Sequence, residues 1–249
     1  MKTHSAKLLF ILSVFLIFGT LKTKSQNKNQ LSISFGITQL KDKFNQGMIF
    51  TGPMLGIKYG GSWNVAKYEL SYKPEVNLGV SFNRNMKAAS FEITPIDLSC
   101  MKSIIKKDSH TFKSGLNISA NYNYQLYPDL QNGYLFWTSE LGVSICLQYS
   151  YRWAGGQLNL HVQNSLLGFT SRPVEFDPYF YSLKFADFVC YAHQNLTFGS
   201  FNKYNHTTIQ AEYTTGSSHS FGAGIDYLSV FYGIGFKRLN YSLQWKIKI

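Results

Sequence analysis

The chain has 249 residues, 45% hydrophobic and 16% aromatic but only 15% charged, against roughly 25% charged in an average soluble domain. Its mean hydropathy of −0.13 excludes a bundle of transmembrane helices, each of which needs about 20 consecutive apolar residues. The net charge of +11 is spread over cations with no basic run longer than two residues, as at Lys106-Lys107, so the clustered surface that nucleic acid requires is missing.

In chain order, Lys2 and Lys7 precede an apolar run over 8–18 and a polar tail over 20–26. A basic start, a short apolar core and a polar tail predict a secretory signal over 1–26, cleaved near Ser25 or Gln26. As an uncleaved anchor the run is too short to span a bilayer. No Cys stands near the boundary, so no lipid-anchored N-terminus is expected. The segment holds four of the 24 basic residues and no acid, leaving 20 against 13 and a net charge of +7. That excess fits attraction to anionic lipid headgroups.

From there period-two alternation runs through 27–249. The two longest segments are 116–126, with Leu116, Ile118, Ala120, Tyr122, Tyr124 and Leu126 on one face, and 140–153, with Leu141, Val143, Ile145, Leu147, Tyr149, Tyr151 and Trp153. A strand alternates its side chains between two faces, so each segment has an apolar and a polar side. Shorter copies lie at 31–37, 55–59, 68–72, 76–82, 158–162, 196–198, 207–213 and 221–227, separated by turn signals such as Gly60-Gly61, Asn83-Arg84-Asn85 and Asn132-Gly133. The segment 91–100 alternates less cleanly around Pro95, where a bulge or edge is expected. Cys100, Cys146 and Cys190 are odd in number and lack metal-ligand spacing; they read as buried small residues with at most one disulfide. No cofactor or metal constellation is present in the sequence.

Such strands build either a soluble sandwich or barrel with the apolar face inward, or a transmembrane barrel with that face toward lipid. Three features favour the second. The long segments run 11 and 14 residues, whereas globular strands average about five or six and a tilted membrane strand takes about 9–11. Tyr and Trp gather toward strand ends, as in interfacial girdles. Tyr241, Leu243, Trp245, Ile247 and Ile249 alternate with polar residues up to the last position. The pattern resembles an outer-membrane β-barrel, whose last strand serves as the assembly signal and usually ends in Phe where this one ends in Ile249. The tail Lys22-Thr23-Lys24-Ser25-Gln26 and the segment Leu166-Leu167-Gly168-Phe169-Thr170-Ser171-Arg172-Pro173 resemble segments of exported Bacteroidota proteins.

The expected fold is therefore an all-β, antiparallel up-and-down transmembrane β-barrel of about 12 strands, between 10 and 14, in one domain over 27–249. One difficulty stands. With eight strands before Gln163, the long segment 164–192 falls on the side of the termini, where turns are usually short. Either 68–82 is a single bulged strand, or part of 179–190 is a strand.

Positions alternating with the apolar face should point into the lumen: Lys58, Glu69, Lys73, Glu140, Arg152, His161, Glu212, Asp226, Lys246 and Lys248. Mixed signs favour an interior ion-pair network over a selective pore or proton relay. A barrel-embedded lipid hydrolase or acyltransferase needs a His beside a nucleophile. His110 near Ser109 and Ser114, His161 near Ser165, and His219 between Ser218 and Ser220 match no such arrangement in a strand. The stretch 172–181 is the most distinctive loop, and Arg172, Glu175, Asp177 and Tyr179 are its candidate binding residues, in a segment that could equally cover the barrel mouth. The sequence thus predicts a non-enzymatic, porin-like or ligand-binding surface barrel in the outer membrane. The lipid hydrolase and a soluble exported β-protein are the alternatives. Its expected partners are outer-membrane lipid, the barrel-assembly machinery and a small ligand or surface protein.

Overall fold

The structure, a computed structural model, describes residues 28–129, 134–173, 192–193, 195–215, 218–231 and 235–249. The expected signal over 1–26, Cys190 and most of the long loop, with Glu175, Asp177 and Tyr179, lie outside the described residues.

Twelve strands make up the sheet: β1 (Lys28–Asp42), β2 (Ile49–Val65), β3 (Tyr68–Tyr72), β4 (Glu75–Asn83), β5 (Met86–Lys107), β6 (His110–Tyr127), β7 (Tyr134–Trp153), β8 (Gly156–Ser171), β9 (Thr197–Ser200), β10 (Tyr204–Thr215), β11 (His219–Val230) and β12 (Phe236–Lys248). All pairings are antiparallel. The first strand pairs with the last, Gln30 opposite Lys248 through Asp42 opposite Phe236, while its other edge pairs with β2. The sheet therefore closes on itself, the one arrangement that leaves no open edge in hydrocarbon.

Two staves of this barrel are interrupted strands. Along β5, Leu98 faces Tyr72 of β3 and Thr94 faces Glu75 of β4, so β3 and β4 lie end to end. Likewise β9 and β10 follow one another along β8, Leu167 facing Ser200 and Asn164 facing Thr207. Twelve strands thus form ten staves. The segment 68–82 is one bulged stave, and the connection after β8 follows the seventh. It therefore leaves from the end opposite the termini. Short turns such as Ala66-Lys67, Asp108-Ser109 and Ala154-Gly155 occupy the terminus end, and the long connections occupy the loop end.

Alternation sets the two surfaces. Phe35 and Leu243, directly opposed across the closing seam, are 66% and 69% exposed, while Ser34 and Asn240 on the opposite parity are buried. Along β12 and the residue after it the outward apolar residues are Leu239, Tyr241, Leu243, Trp245, Ile247 and Ile249. Ten steps of about 3.3 Å, tilted about 40°, cover roughly 25 Å, the height of a membrane barrel's apolar band. At the terminus end Tyr151 stacks on Trp153 and Trp153 on Tyr213, with centroids 5.6 and 5.5 Å apart, forming part of a girdle.

Bulges keep the polar residues inside. The β5–β6 register shifts between Ile93 and Ile96, around Pro95. Glu92 is inward before the shift and Asp97 and Ser99 after it; without the extra residue both would face lipid. On β8 a second shift at Leu166 lets Ser165 and Thr170 both face inward. Cys146 is buried and inward, but Cys100 is exposed on the outer face, which corrects the expectation that it is buried. The pair sits on opposite faces of the wall, and both thiols are free.

Arg in place of Leu243 should lower stability by about 2–4 kcal/mol, and Arg in place of Ile49, at the loop-end rim, by at most about 1 kcal/mol. Urea unfolding in lipid vesicles measures both; equal losses would mean that the outer wall is not a lipid-facing belt.

Candidate functional site in the barrel interior

Three layers fill the lumen, and several strands contribute to each at two-residue intervals. The loop-end layer is apolar. Leu40, Phe50, Ala88, Tyr127, Phe136, Tyr204, Leu228, Val230 and Phe236 point inward, are at most 2% exposed and form one cluster. Phe50 and Phe136 meet Tyr127 edge to face, with centroids 5.1 and 5.8 Å away. Buried within this end, Arg172 donates from Nη2 to Asp42 Oδ2 at 2.8 Å and from Nη1 to Thr138 Oγ1 at 3.1 Å, and its guanidinium lies over the Phe236 ring.

The middle layer is ionic. Two residues down β12 from Phe236, Arg238 reaches inward to pair with Glu92 through Nη1 and with Asp226 Oδ1 through Nη2 at 2.5 Å. His206, two residues down from Tyr204, lies between two carboxylates: Nδ1 is 2.8 Å from Glu140 Oε1 and Nε2 is 2.8 Å from Asp226 Oδ2. Only a doubly protonated ring can donate to both. Asn121 donates to Glu92 Oε1 at 2.6 Å and Thr208 Oγ1 to Asp226 Oδ2 at 3.0 Å. Five charged side chains from β5, β7, β10, β11 and β12 are thus tied together across the barrel. Closing such a network compensates the cost of burying its charges.

The third layer, toward the terminus end, is a polar cavity of about 90 Å³. Lys58, Lys73, Glu75, Asp97, His161 and Gln163 are among its lining residues. Lys58 pairs with Glu75 at 2.6 Å, Asn117 donates to Asp97, and beyond the cavity Lys246 pairs with Glu212.

The residues expected in the lumen fall into several groups along it. Glu140 and Asp226 belong to the ionic layer, and Asp226 also lines the cavity with Lys73 and His161; Glu212 and Lys246 pair with each other. Glu69 pairs with Lys113 at 2.6 Å, nearer the terminus end, and Arg152 donates to Gln157 at the exposed rim, outside the ionic layer. Lys248 is exposed at the same rim. Arg172, expected to bind from the loop, is instead buried on Asp42. The described part of the long connection that returns to β9 lies outside the barrel. There Ser139 donates to the Ala192 carbonyl, and Tyr122 meets His193 with 3.1 Å between Oη and Nε2. Partial burial there holds the His193 imidazole below its ordinary pKa.

Sequence reasoning missed Arg238, Glu92 and His206. Period two extended backward would have placed them: from Tyr241 through Asn240 to Arg238, and from Ile209 to His206. For Glu92 the bulge at Pro95 masked the phase. The His–Ser candidates are not brought together. His110 opens β6 rather than sitting in a loop, with Nδ1 2.6 Å from the Tyr149 hydroxyl; Ser165 Oγ accepts the His206 backbone N–H at 2.9 Å; His219 stacks on Trp245.

A closed antiparallel barrel, apolar outside and ion-paired inside, defines the class as a transmembrane β-barrel. The chain matches no protein-family model and no curated protein. Among solved structures it is similar to Neisserial surface protein A, at 8% identity and a TM-score of 0.38, covering 89% of this chain and 97% of that one. The translocator domain of the autotransporter NalP from Neisseria meningitidis shows 8% identity and a TM-score of 0.39 over 98% and 96% of the two chains. An outer membrane channel from Pseudomonas putida F1 shows 6% and 0.38 over 89% and 96%. At these scores the fold rests on the closed register of the chain itself.

Replacing Arg238 by Met leaves Glu92 without its cation and Asp226 with His206 alone, and should cost about 3–5 kcal/mol. Adding Glu92→Gln should recover part of that loss in vesicle unfolding. A loss in the double variant equal to the sum of the two single losses would show that the pair is not coupled.

Proposed function

We propose that this chain is an outer-membrane barrel closed to solute flow, working as a ligand-binding surface protein through its loop end rather than as a porin. The observation that carries this reading is the apolar layer. Nine inward side chains at the loop end pack into one buried cluster around the Asp42–Arg172 pair, and an ion would have to shed its water to cross them, at high desolvation cost. The Asp42–Arg172 pair ties the base of the long connection to the same end. The polar cavity then lies beneath the seal as an interior space suited to ordered water. The alternating outer wall of β12 supports an outer-membrane location and offers the terminal strand that the assembly machinery would read.

In planar bilayers the protein should insert without steady conductance, and Phe50→Ala with Phe136→Ala should open one. Persistent open-channel current from the unaltered protein would overturn the closed-barrel reading in favour of a pore.

A further inference from the structure

The outer rim at the loop end carries two lysines in a costly arrangement. Lys41 of β1 and Lys237 of β12 are direct cross-strand partners, both outward and both exposed. Like charges directly opposed destabilise a sheet unless something answers them. Lys43 extends the same corner, its backbone N–H donating to the Gly235 carbonyl at 3.1 Å. Among the described residues neither Lys41 nor Lys237 has an ion pair. Every carboxylate borne by a described strand points into the lumen. Asp42, between Lys41 and Lys43, is turned inward on Arg172, while Asp129 accepts the Lys87 backbone N–H at 2.6 Å. Among the described residues, then, no carboxylate neutralises this pair.

Lys237 stands one outward position beyond Leu239 of the apolar belt and Lys41 two beyond Ile37, with Gln39 between, at the level of lipid headgroups. Beside this corner, on the side of β1 away from β12, the outer wall is dented. An apolar groove of about 580 Å³ runs across β1, β2, β4, β5 and β6, with Phe35, Leu55, Leu78, Phe91 and Leu126 around the smaller Pro53. Pro53 faces Ile37, four residues or about 13 Å along β1 from Lys41. That separation suits a headgroup above and an acyl chain below.

Resting on the membrane reading above, we propose that Lys41 and Lys237 clamp the phosphate of a lipid in the loop-end leaflet, one acyl chain of which fills the groove. The shared chemistry is a phosphate ester on a diacyl anchor. The clamp removes the Lys41–Lys237 repulsion, and the groove supplies the selectivity for a lipid over a free anion.

Native mass spectrometry of the detergent-purified full chain tests this, with dioleoyl phosphatidic acid as the probe. One molecule should stay bound per barrel, and dioleoylglycerol, with the same chains and no phosphate, should not. Lys41→Gln with Lys237→Gln should weaken retention roughly 30-fold, since each lysine near a charged lipid surface contributes on the order of 1 kcal/mol. Lys106→Gln with Lys107→Gln, on β5 at the other end, should leave it unchanged. Ala89→Trp, which fills the groove, should weaken it independently of charge. Equal retention by the Lys41/Lys237 variant, or retention of dioleoylglycerol, would overturn the proposal. Displacement of the probe by millimolar inorganic phosphate would reduce the site to a free-anion site and also overturn it. A heat-modifiable shift on electrophoresis shows that each variant is folded. Failure of the unaltered chain to insert into vesicles would instead defeat the membrane reading.

Discussion

Hydrocarbon offers no hydrogen-bond partner to a peptide group, and the rest of this structure depends on meeting that condition. The seam between β1 and β12 meets it by running in register from Gln30–Lys248 to Asp42–Phe236. Once the seam closes, period two is no longer only a local pattern. Each residue is committed to lipid or to lumen, and a one-residue slip would move the whole set, Phe35, Leu243 and Trp245 included, to the wrong side. The bulges at Pro95 and Leu166 are controlled slips of this kind, placed where the chain changes phase and needs to keep Asp97 or Thr170 inside.

At the height of the apolar belt the lumen then becomes the place for charge. Eight of the 13 acidic residues, Asp42, Glu69, Glu75, Glu92, Asp97, Glu140, Glu212 and Asp226, face it, most of them opposite a lysine, arginine or histidine. The interior thereby replaces the hydrophobic core of a soluble protein with a graded sequence of apolar seal, ion network and polar cavity. On the closed-barrel reading proposed above the seal is the deciding layer, because one dehydrated layer is enough to stop ions whatever lies beneath it. The same inward routing of the acids leaves the cationic rim at Lys41 and Lys237 unanswered. The interior ion network and this cationic rim are thus two consequences of one sorting rule.

The two interrupted staves show how topology hides in a sequence. The stretches 68–72 and 76–82 read as separate strands because Lys73-Pro74 breaks the alternation, yet both align along β5 and count once around the ring. That single correction moves the long connection after β8 from the terminus end to the loop end. It also removes the conflict with short turns on the side of the termini.

The sequence by itself determined that the chain is all-β, that its strands have one apolar and one polar face, and that charges of both signs lie on the polar face. These follow from period two, which is a property of a single strand. Tertiary structure alone decided which charges meet. Arg238 reaches Glu92 across 146 positions and Arg172 reaches Asp42 across 130, distances that only ring closure converts into contacts. It likewise decided that Arg172 serves the barrel interior and not the loop, and that Lys41 faces Lys237. Partners in a closed sheet are set by register and stave count, which depend on every strand at once and on no short stretch of sequence.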